Sequence, residues 1–127
     1  SFPVNPFYES NNFWCNNNDE YTYILRKQMQ VDSLAPECTY ERIPFPVDET
    51  DMVYIMFGKM SYYRNDTFQT TLYRDDCAKK LTYNVNMIQR DTTHWQFPGV
   101  MSVFCEVDSI PVDYQVEVNY KYVPLTP

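Results

Sequence analysis

The residues of this chain that could do chemistry are four cysteines, one histidine and two acidic clusters. The cysteines are Cys15, Cys38, Cys77 and Cys105, and no two of them have the close spacing of a zinc or redox motif. His94 is the only histidine, which disfavours a tetrahedral zinc site. An even number of cysteines in a short chain predicts two disulfides. Three pairings are possible, and the sequential one, Cys15–Cys38 and Cys77–Cys105, is favoured because it closes the shortest loops.

No residue pattern points to a catalytic site. The only glycines, Gly58 and Gly99, cannot form a phosphate-binding loop. His94 has no nucleophile motif near it, and Ser102 lies in a predicted strand without the turn of a nucleophile elbow. The acidic clusters at 48–51 and 75–76 lack the spacing of a calcium loop and are interpreted as solvated loops. We therefore predict no enzymatic activity, no metal and no cofactor. A glycosidase-like carboxylate pair stays open as a third hypothesis, because its members need not be close along the chain.

Length and charge limit the class of protein and of partner. A chain of 127 residues predicts a single domain, residues 1–127. The net charge of −7 excludes a nucleic-acid groove and disfavours an anionic membrane surface. Such a field attracts cationic small molecules or basic protein patches. No apolar run is long enough to span a membrane, so we predict no membrane insertion. The sequence leaves the oligomeric state open.

Two features favour the secretory pathway. The chain opens at Ser1 without an initiator methionine, which suggests a processed mature terminus, and the predicted disulfides need an oxidising compartment. Asn65 begins an Asn-x-Thr sequon in a predicted turn and is the candidate glycosylation site. We therefore expect a secreted, extracellular glycoprotein.

Strict alternation of apolar and polar residues predicts strands rather than helices. The chain is rich in tyrosine and poor in alanine, which also favours strands. The alternating segments are 52–62, 81–87 and 114–122, and further strands are predicted at 38–43, 68–73 and 100–107. Residues 19–31 fit a strand or a helix, and we prefer the strand. A long loop is predicted over residues 90–99. Short connections then predict an all-β antiparallel meander of six to eight strands, either a small barrel or a two-layer sandwich.

In coarse features the chain resembles the short secreted lipocalins. These features are its acidity, the two predicted bridges, an aromatic N-terminal loop at Phe13-Trp14 and the antiparallel meander. It departs from that family because it has no Gly-x-Trp before the first strand and no C-terminal helical pattern. Membership is therefore not inferred.

Two functions of different classes follow from the aromatic residues. The first is a non-enzymatic carrier that binds an amphipathic, hydrophobic or cationic aromatic ligand in a Tyr/Met-lined cavity. Its predicted lining is Tyr54, Met56, Tyr62, Tyr83 and Tyr120, with the acidic loops at its mouth. The alternative is a module that binds another protein through aromatic loops. Its candidate anchors are Phe2, Phe7, Tyr8, Phe13 and Trp14 at the start of the chain, and Trp95 and Phe97 in the 90–99 segment.

Overall fold

Strands account for most of the regular structure in the described part of the chain. The computed structural model describes residues 1–11, 20–27, 29–30, 33 and 51–125 in full, and residues 14–15 and 38–39 by their backbone. In this part of the chain ten strands follow one another: β1 (Phe2–Pro3), β2 (Tyr8–Ser10), β3 (Trp14–Cys15), β4 (Tyr21–Leu25), β5 (Cys38–Thr39), β6 (Val53–Tyr63), β7 (Thr67–Asp75), β8 (Lys80–Ile88), β9 (His94–Val107) and β10 (Gln115–Val123). The all-β prediction is confirmed.

The strands form two four-stranded sheets and a two-stranded ribbon, not a closed barrel, in the described residues. The chain divides into two compact units. The first unit comprises Ser1–Asn5, Ser61–Gly99 and Asp113–Pro127, and the second comprises Pro6–Met60 and Val100–Val112.

The sheet of the first unit has the order β1-β7-β8-β10. β7 and β8 form an antiparallel hairpin, and the turn between β6 and β7 passes through Asn65 at a φ of 64°. Asparagine tolerates this left-handed conformation better than most residues, as the sequence predicted for this turn. β8 alternates strictly between buried and half-buried positions, so the predicted register of Tyr83 and Val85 is confirmed.

β10 departs from the predicted antiparallel meander. It pairs with β8 in parallel, from Gln115 opposite Lys80 to Val123 opposite Ile88. The connection between these strands contains β9, which belongs to the other sheet. A parallel pair needs a long crossover, and β9 supplies it. The prediction assumed that consecutive strands are neighbours, which fails at this step.

The sheet of the second unit has the order β2-β9-β6-β4. Tyr21, Tyr23 and Leu25 of β4 lie opposite Gly58, Met56 and Tyr54 of β6, so one face of the pair is aromatic and apolar. This face contributes to a core cluster that consists of Tyr21, Leu25, Met52, Tyr54, Met56 and Phe104. The strand preferred for residues 19–31 is confirmed over 21–25, whereas Met29 and Gln30 have helical backbone.

The loop predicted over 90–99 and the strand predicted over 38–43 agree with the structure only in part. The loop predicted over 90–99 is wrong from His94 onward, because β9 starts there and runs through Pro98 and Gly99. The strand predicted over 38–43 is seen at Cys38–Thr39, and residues 40–43 lie outside the described residues.

Candidate functional site

The five residues predicted to line a ligand cavity have different environments. Tyr54 and Met56 are fully buried in the core cluster of the second unit. Tyr62, Tyr83 and Tyr120 belong to the first unit, where Tyr83 is buried and Tyr120 is half-buried with its hydroxyl 3.9 Å from Met87 Sδ. Tyr62 is 55% exposed. The period-2 pattern placed Tyr62 on the same strand face as Tyr54, but burial on that face ends before Tyr62.

Two of the acidic residues proposed for the cavity mouth, Asp75 and Asp76, form hydrogen bonds within the chain. The carboxylate of Asp75 accepts a hydrogen bond from the Ala78 amide at 3.0 Å. Asp76 accepts hydrogen bonds from Arg74 Nε, at 2.6 Å, and from the Tyr114 hydroxyl. These two bonds lower the pKa of Asp76, the bond from Tyr114 having the larger effect. Residues 48–50 of the other acidic cluster lie outside the described residues.

The start of β9 is the most exposed stretch of aromatic sequence in the described residues. All six residues from His94 to Gly99 are exposed although they have strand backbone. Trp95 is 42% exposed and Phe97 is 83% exposed. Because side chains alternate along a strand, Trp95 and Phe97 project from the same face. We call these two residues the aromatic pair.

A hydrogen-bonded network fixes one member of the aromatic pair. Trp95 Nε1 donates to Ser61 Oγ at 3.2 Å, and Ser61 Oγ donates to Asp66 Oδ2 at 2.9 Å. The guanidinium of Arg64 lies 5.7 Å from the Trp95 ring, within the range of a cation–π contact. Trp95 is therefore held in one orientation before any partner binds.

Asp66 places a carboxylate within this network. Its side chain is buried, and its Oδ1 atom has no hydrogen-bond partner among the described residues. A desolvated carboxylate oxygen without a donor favours a nearby positive charge. Desolvation raises the pKa of Tyr122, and the negative charge of Asp66 raises it further. The Tyr122 hydroxyl donates to Gln89 Oε1 at 3.2 Å.

Sequence reasoning found part of this site. It named Trp95 and Phe97 as binding anchors but assigned them to a loop. It considered Asp66 only as a residue of the sequon and of the predicted turn at 64–66, and it did not consider Ser61. Neither residue carries a signal in the sequence, since Ser61 and Asp66 meet through the turn between β6 and β7 rather than through a motif.

His94 directly precedes Trp95 in the chain, and Asn65 directly precedes Asp66. The His94 ring packs against Tyr63, with ring centroids 4.4 Å apart. Asn65 is exposed, and its Nδ2 donates to Asp91 Oδ2 at 3.2 Å. Exposure in a turn is what a glycan acceptor requires, so Asn65 stays the predicted glycosylation site.

The cysteines do not show the predicted bridges. Cys77 is an exposed free thiol in the turn before β8, whereas Cys105 is buried in β9, so the structure does not show a Cys77–Cys105 disulfide. Cys15 and Cys38 are directly opposite each other in the antiparallel pair of β3 and β5. Residues opposite each other in such a pair have Cα atoms about 4.5–5.5 Å apart, within the range of a disulfide. Their side chains lie outside the described residues.

Comparison with protein-family models, with curated proteins and with solved structures found no match. Among the described residues, no helix has the length and apolar character needed to cross a membrane. The same residues contain no group of three or more histidine, cysteine, aspartate or glutamate side chains that could hold a metal ion.

Proposed function

We propose that this chain is a secreted, non-enzymatic binding module that engages another protein through the aromatic pair, Trp95 and Phe97. The observation that carries the proposal is the exposure of six consecutive residues, His94–Gly99, within a regular strand. Exposed tryptophan and phenylalanine supply large apolar contact areas and are frequent binding anchors. A rigid strand also presents them with less loss of conformational entropy than a loop would.

The fixed orientation of Trp95 and the negative charge of the chain indicate what kind of partner surface would bind. Trp95 is held by Ser61 and Arg64, so its side chain loses little further freedom on binding. The net charge of −7 and the buried carboxylate of Asp66 favour a partner with positive charge beside its apolar residues. The partner surface that fits is therefore apolar at its centre and basic around it.

The small-ligand carrier stays a prediction, with weaker support. It required an enclosed face that joins Tyr54, Met56, Tyr62, Tyr83 and Tyr120. The described strands do not close into a barrel, Tyr54 and Met56 pack in a core cluster, and Tyr62 is exposed. Core packing therefore accounts for Tyr54 and Met56 without a bound ligand.

The proposal is tested with random peptides displayed on phage and selected on the wild-type protein. The selected peptides should be enriched in apolar and basic residues. Trp95→Ala and Phe97→Ala should each weaken their binding about tenfold or more, since buried aromatic anchors dominate such interfaces. Val112→Ala removes an apolar side chain that is 79% exposed, close to the 83% of Phe97, from the connection between β9 and β10, and it is the matched control. Its affinity should equal that of the wild type.

Each other outcome has a definite meaning. Peptides that bind both aromatic variants as well as the wild type would overturn the proposal. Loss of binding in Phe7→Ala instead would move the contact surface to the N-terminal aromatic residues. A panel of amines, fatty acids and steroids tests the carrier by thermal shift. A ligand at about one hundred times its dissociation constant should add roughly 2.7 kcal/mol of stability, and such a shift would favour the carrier.

A further inference from the structure

β10 is the longest edge strand in the described part of the chain. It stands at the end of the sheet β1-β7-β8-β10, and β8 is its single strand neighbour there. All nine residues from Gln115 to Val123 pair with β8 on one side. The other edges are shorter, with two residues in β1, three in β2 and five in β4. A strand at the end of a sheet offers a row of backbone groups to another strand.

Two backbone hydrogen bonds show which residues of β10 face away from β8. The Gln115 amide donates to the Lys79 carbonyl, and the Val123 carbonyl accepts from the Gln89 amide, both at 2.9 Å. Residues 115 and 123 therefore direct their backbone groups towards β8, as do the odd-numbered residues between them. The even-numbered residues 116, 118, 120 and 122 direct their N–H and C=O groups to the outer edge.

The sequence of β10 is self-complementary about its central residue. We propose that two copies of this chain dimerise by antiparallel pairing of β10 about a twofold axis at Asn119. This register places Glu117 of each copy opposite Lys121 of the other, so two ion pairs form across the axis. Both lie at positions without cross-strand hydrogen bonds, where opposed side chains come closest.

The neighbouring registers lack this charge match. Two opposed residues must both be odd-numbered or both be even-numbered. The reason is that the backbone groups of an opposed pair either both point towards the partner strand or both point away from it. An axis at Val118 places Lys121 opposite Gln115, and an axis at Tyr120 places Glu117 opposite Val123. The Asn119 register is also the one that pairs all nine residues. It would form about eight backbone hydrogen bonds between the copies.

The apolar face of β10 is incompletely covered, as an edge awaiting a further strand would be. Three apolar residues of β10 are half-buried: Val116, Val118 and Tyr120. The residues opposite them on β8 are fully buried, and they are Leu81, Tyr83 and Val85. The proposed register sets Val118 against Tyr120 and Val116 against Tyr122 of the second copy. Pairs of β-branched and aromatic residues are favourable across strands.

Existing contacts hold the polar face of β10 in place. Lys80 Nζ forms an ion pair with Glu117, and Asn119 Nδ2 donates to Asn84 Oδ1 at 3.2 Å. Glu117 would then lie between Lys80 of its own chain and Lys121 of the other. The dimer goes beyond the proposed partner surface and does not depend on the aromatic pair.

Charge reversal tests the register. Analytical ultracentrifugation at about 0.15 M salt, where the repulsion between two negative chains is screened, should show a wild-type dimer. Lys121→Glu and Glu117→Lys should each weaken self-association about tenfold, because like charges then face each other twice. A mixture of the two variants should form a heterodimer, and the double variant should recover the homodimer. Circular dichroism checks that each variant is folded.

Cysteine cross-linking gives a second, independent readout. In a Cys77→Ser background, Asn119→Cys should oxidise to a covalent dimer, since residue 119 faces its own copy across the axis. Gln115→Cys, which faces Val123 in that register, should not. Unpaired strand edges associate at micromolar to millimolar concentrations. A wild-type protein that stays monomeric at about 100 µM would therefore overturn the proposal. Equal dimerisation of the charge variants, or cross-linking of Gln115→Cys as readily as Asn119→Cys, would overturn the register.

Discussion

The ring of Tyr21 lies directly over Gly58 on the neighbouring strand. The two residues are opposite each other in the pairing of β4 with β6, and a Cβ at position 58 would lie within 2.9 Å of three ring carbons. The Tyr21 hydroxyl reaches Ser102 Oγ at 2.5 Å, and its ring stacks on Tyr23. Gly58 is therefore required by close packing and not by its φ, which is not positive.

Gly58→Ala should destabilise the protein by about 1–3 kcal/mol, as expected for overpacking of a filled core. The ring that must move is held at its hydroxyl and on one face, so it cannot yield at low cost. Gly99→Ala is the matched control, because a Cβ there meets nothing within 4 Å. Urea denaturation of both variants measures the difference. Equal stabilities would show that Tyr21 does not occupy the space over Gly58.

The register of β8 predicts a large contrast between two adjacent residues. Val85 is fully buried, whereas Asn84 is half-buried and lies on the polar face with Asn119. Val85→Asp places a charge in the core and should unfold the first unit, at a cost above about 4 kcal/mol. Asn84→Asp should change stability by less than about 1 kcal/mol. Circular dichroism with thermal melts distinguishes them, and the reverse result would mean a register shifted by one residue.

The sequence predicted the strands whose pattern alternates and failed where tertiary contacts decide. Val85 and Tyr83 are buried as predicted, because alternation alone reports a half-buried strand. The same alternation could not show that β10 joins β8 in parallel, since strand direction leaves no mark on period-2 spacing. It also assigned Trp95 to a loop over residues 90–99, although β9 starts at His94 and runs through Pro98 and Gly99. Asp66 and Ser61 were missed because their contact depends on a turn and not on a motif.

Ser61 connects the aromatic pair to the buried carboxylate, and its hydroxyl should contribute measurably to stability. Ser61→Ala leaves Trp95 Nε1 and Asp66 Oδ2 without the partner each has now. Removing a buried partner costs about 1–3 kcal/mol. Thr71→Ala, which removes a hydroxyl with a long 3.4 Å contact on an exposed face, is the control and should cost less. The emission spectrum of Trp95 should also change in Ser61→Ala, and an unchanged spectrum and stability would contradict the network.

Asp76 should contribute stability that disappears in acid. Its pKa is lowered in the folded protein by the hydrogen bonds from Tyr114 and Arg74. The stabilisation is therefore present above the pKa of the unfolded chain, about 3.9, and is lost as the pH falls through the lower folded value. Asp76→Asn should melt earlier than the wild type at neutral pH, and the two should converge only at a pH below the folded pKa of Asp76. Asp108→Asn removes an exposed carboxylate elsewhere in the chain and is the control for the change in net charge. A constant difference for Asp76→Asn down to acid pH would contradict the assignment.

The cysteines should divide into a bridged pair and two thiols of unequal reactivity. Cys15 and Cys38 are opposite each other in β3 and β5, which supports the predicted bridge, and closing that loop should add about 3 kcal/mol in the chain-entropy model. Exposed Cys77 should react with iodoacetamide in the native protein, whereas buried Cys105 should react only after unfolding. Peptide mapping of native and denatured samples, alkylated without reductant, locates each label. Recovery of a disulfide-linked Cys77–Cys105 peptide would instead support the full sequential pairing predicted from loop length. Labelling of Cys15 in the native protein would contradict the Cys15–Cys38 disulfide.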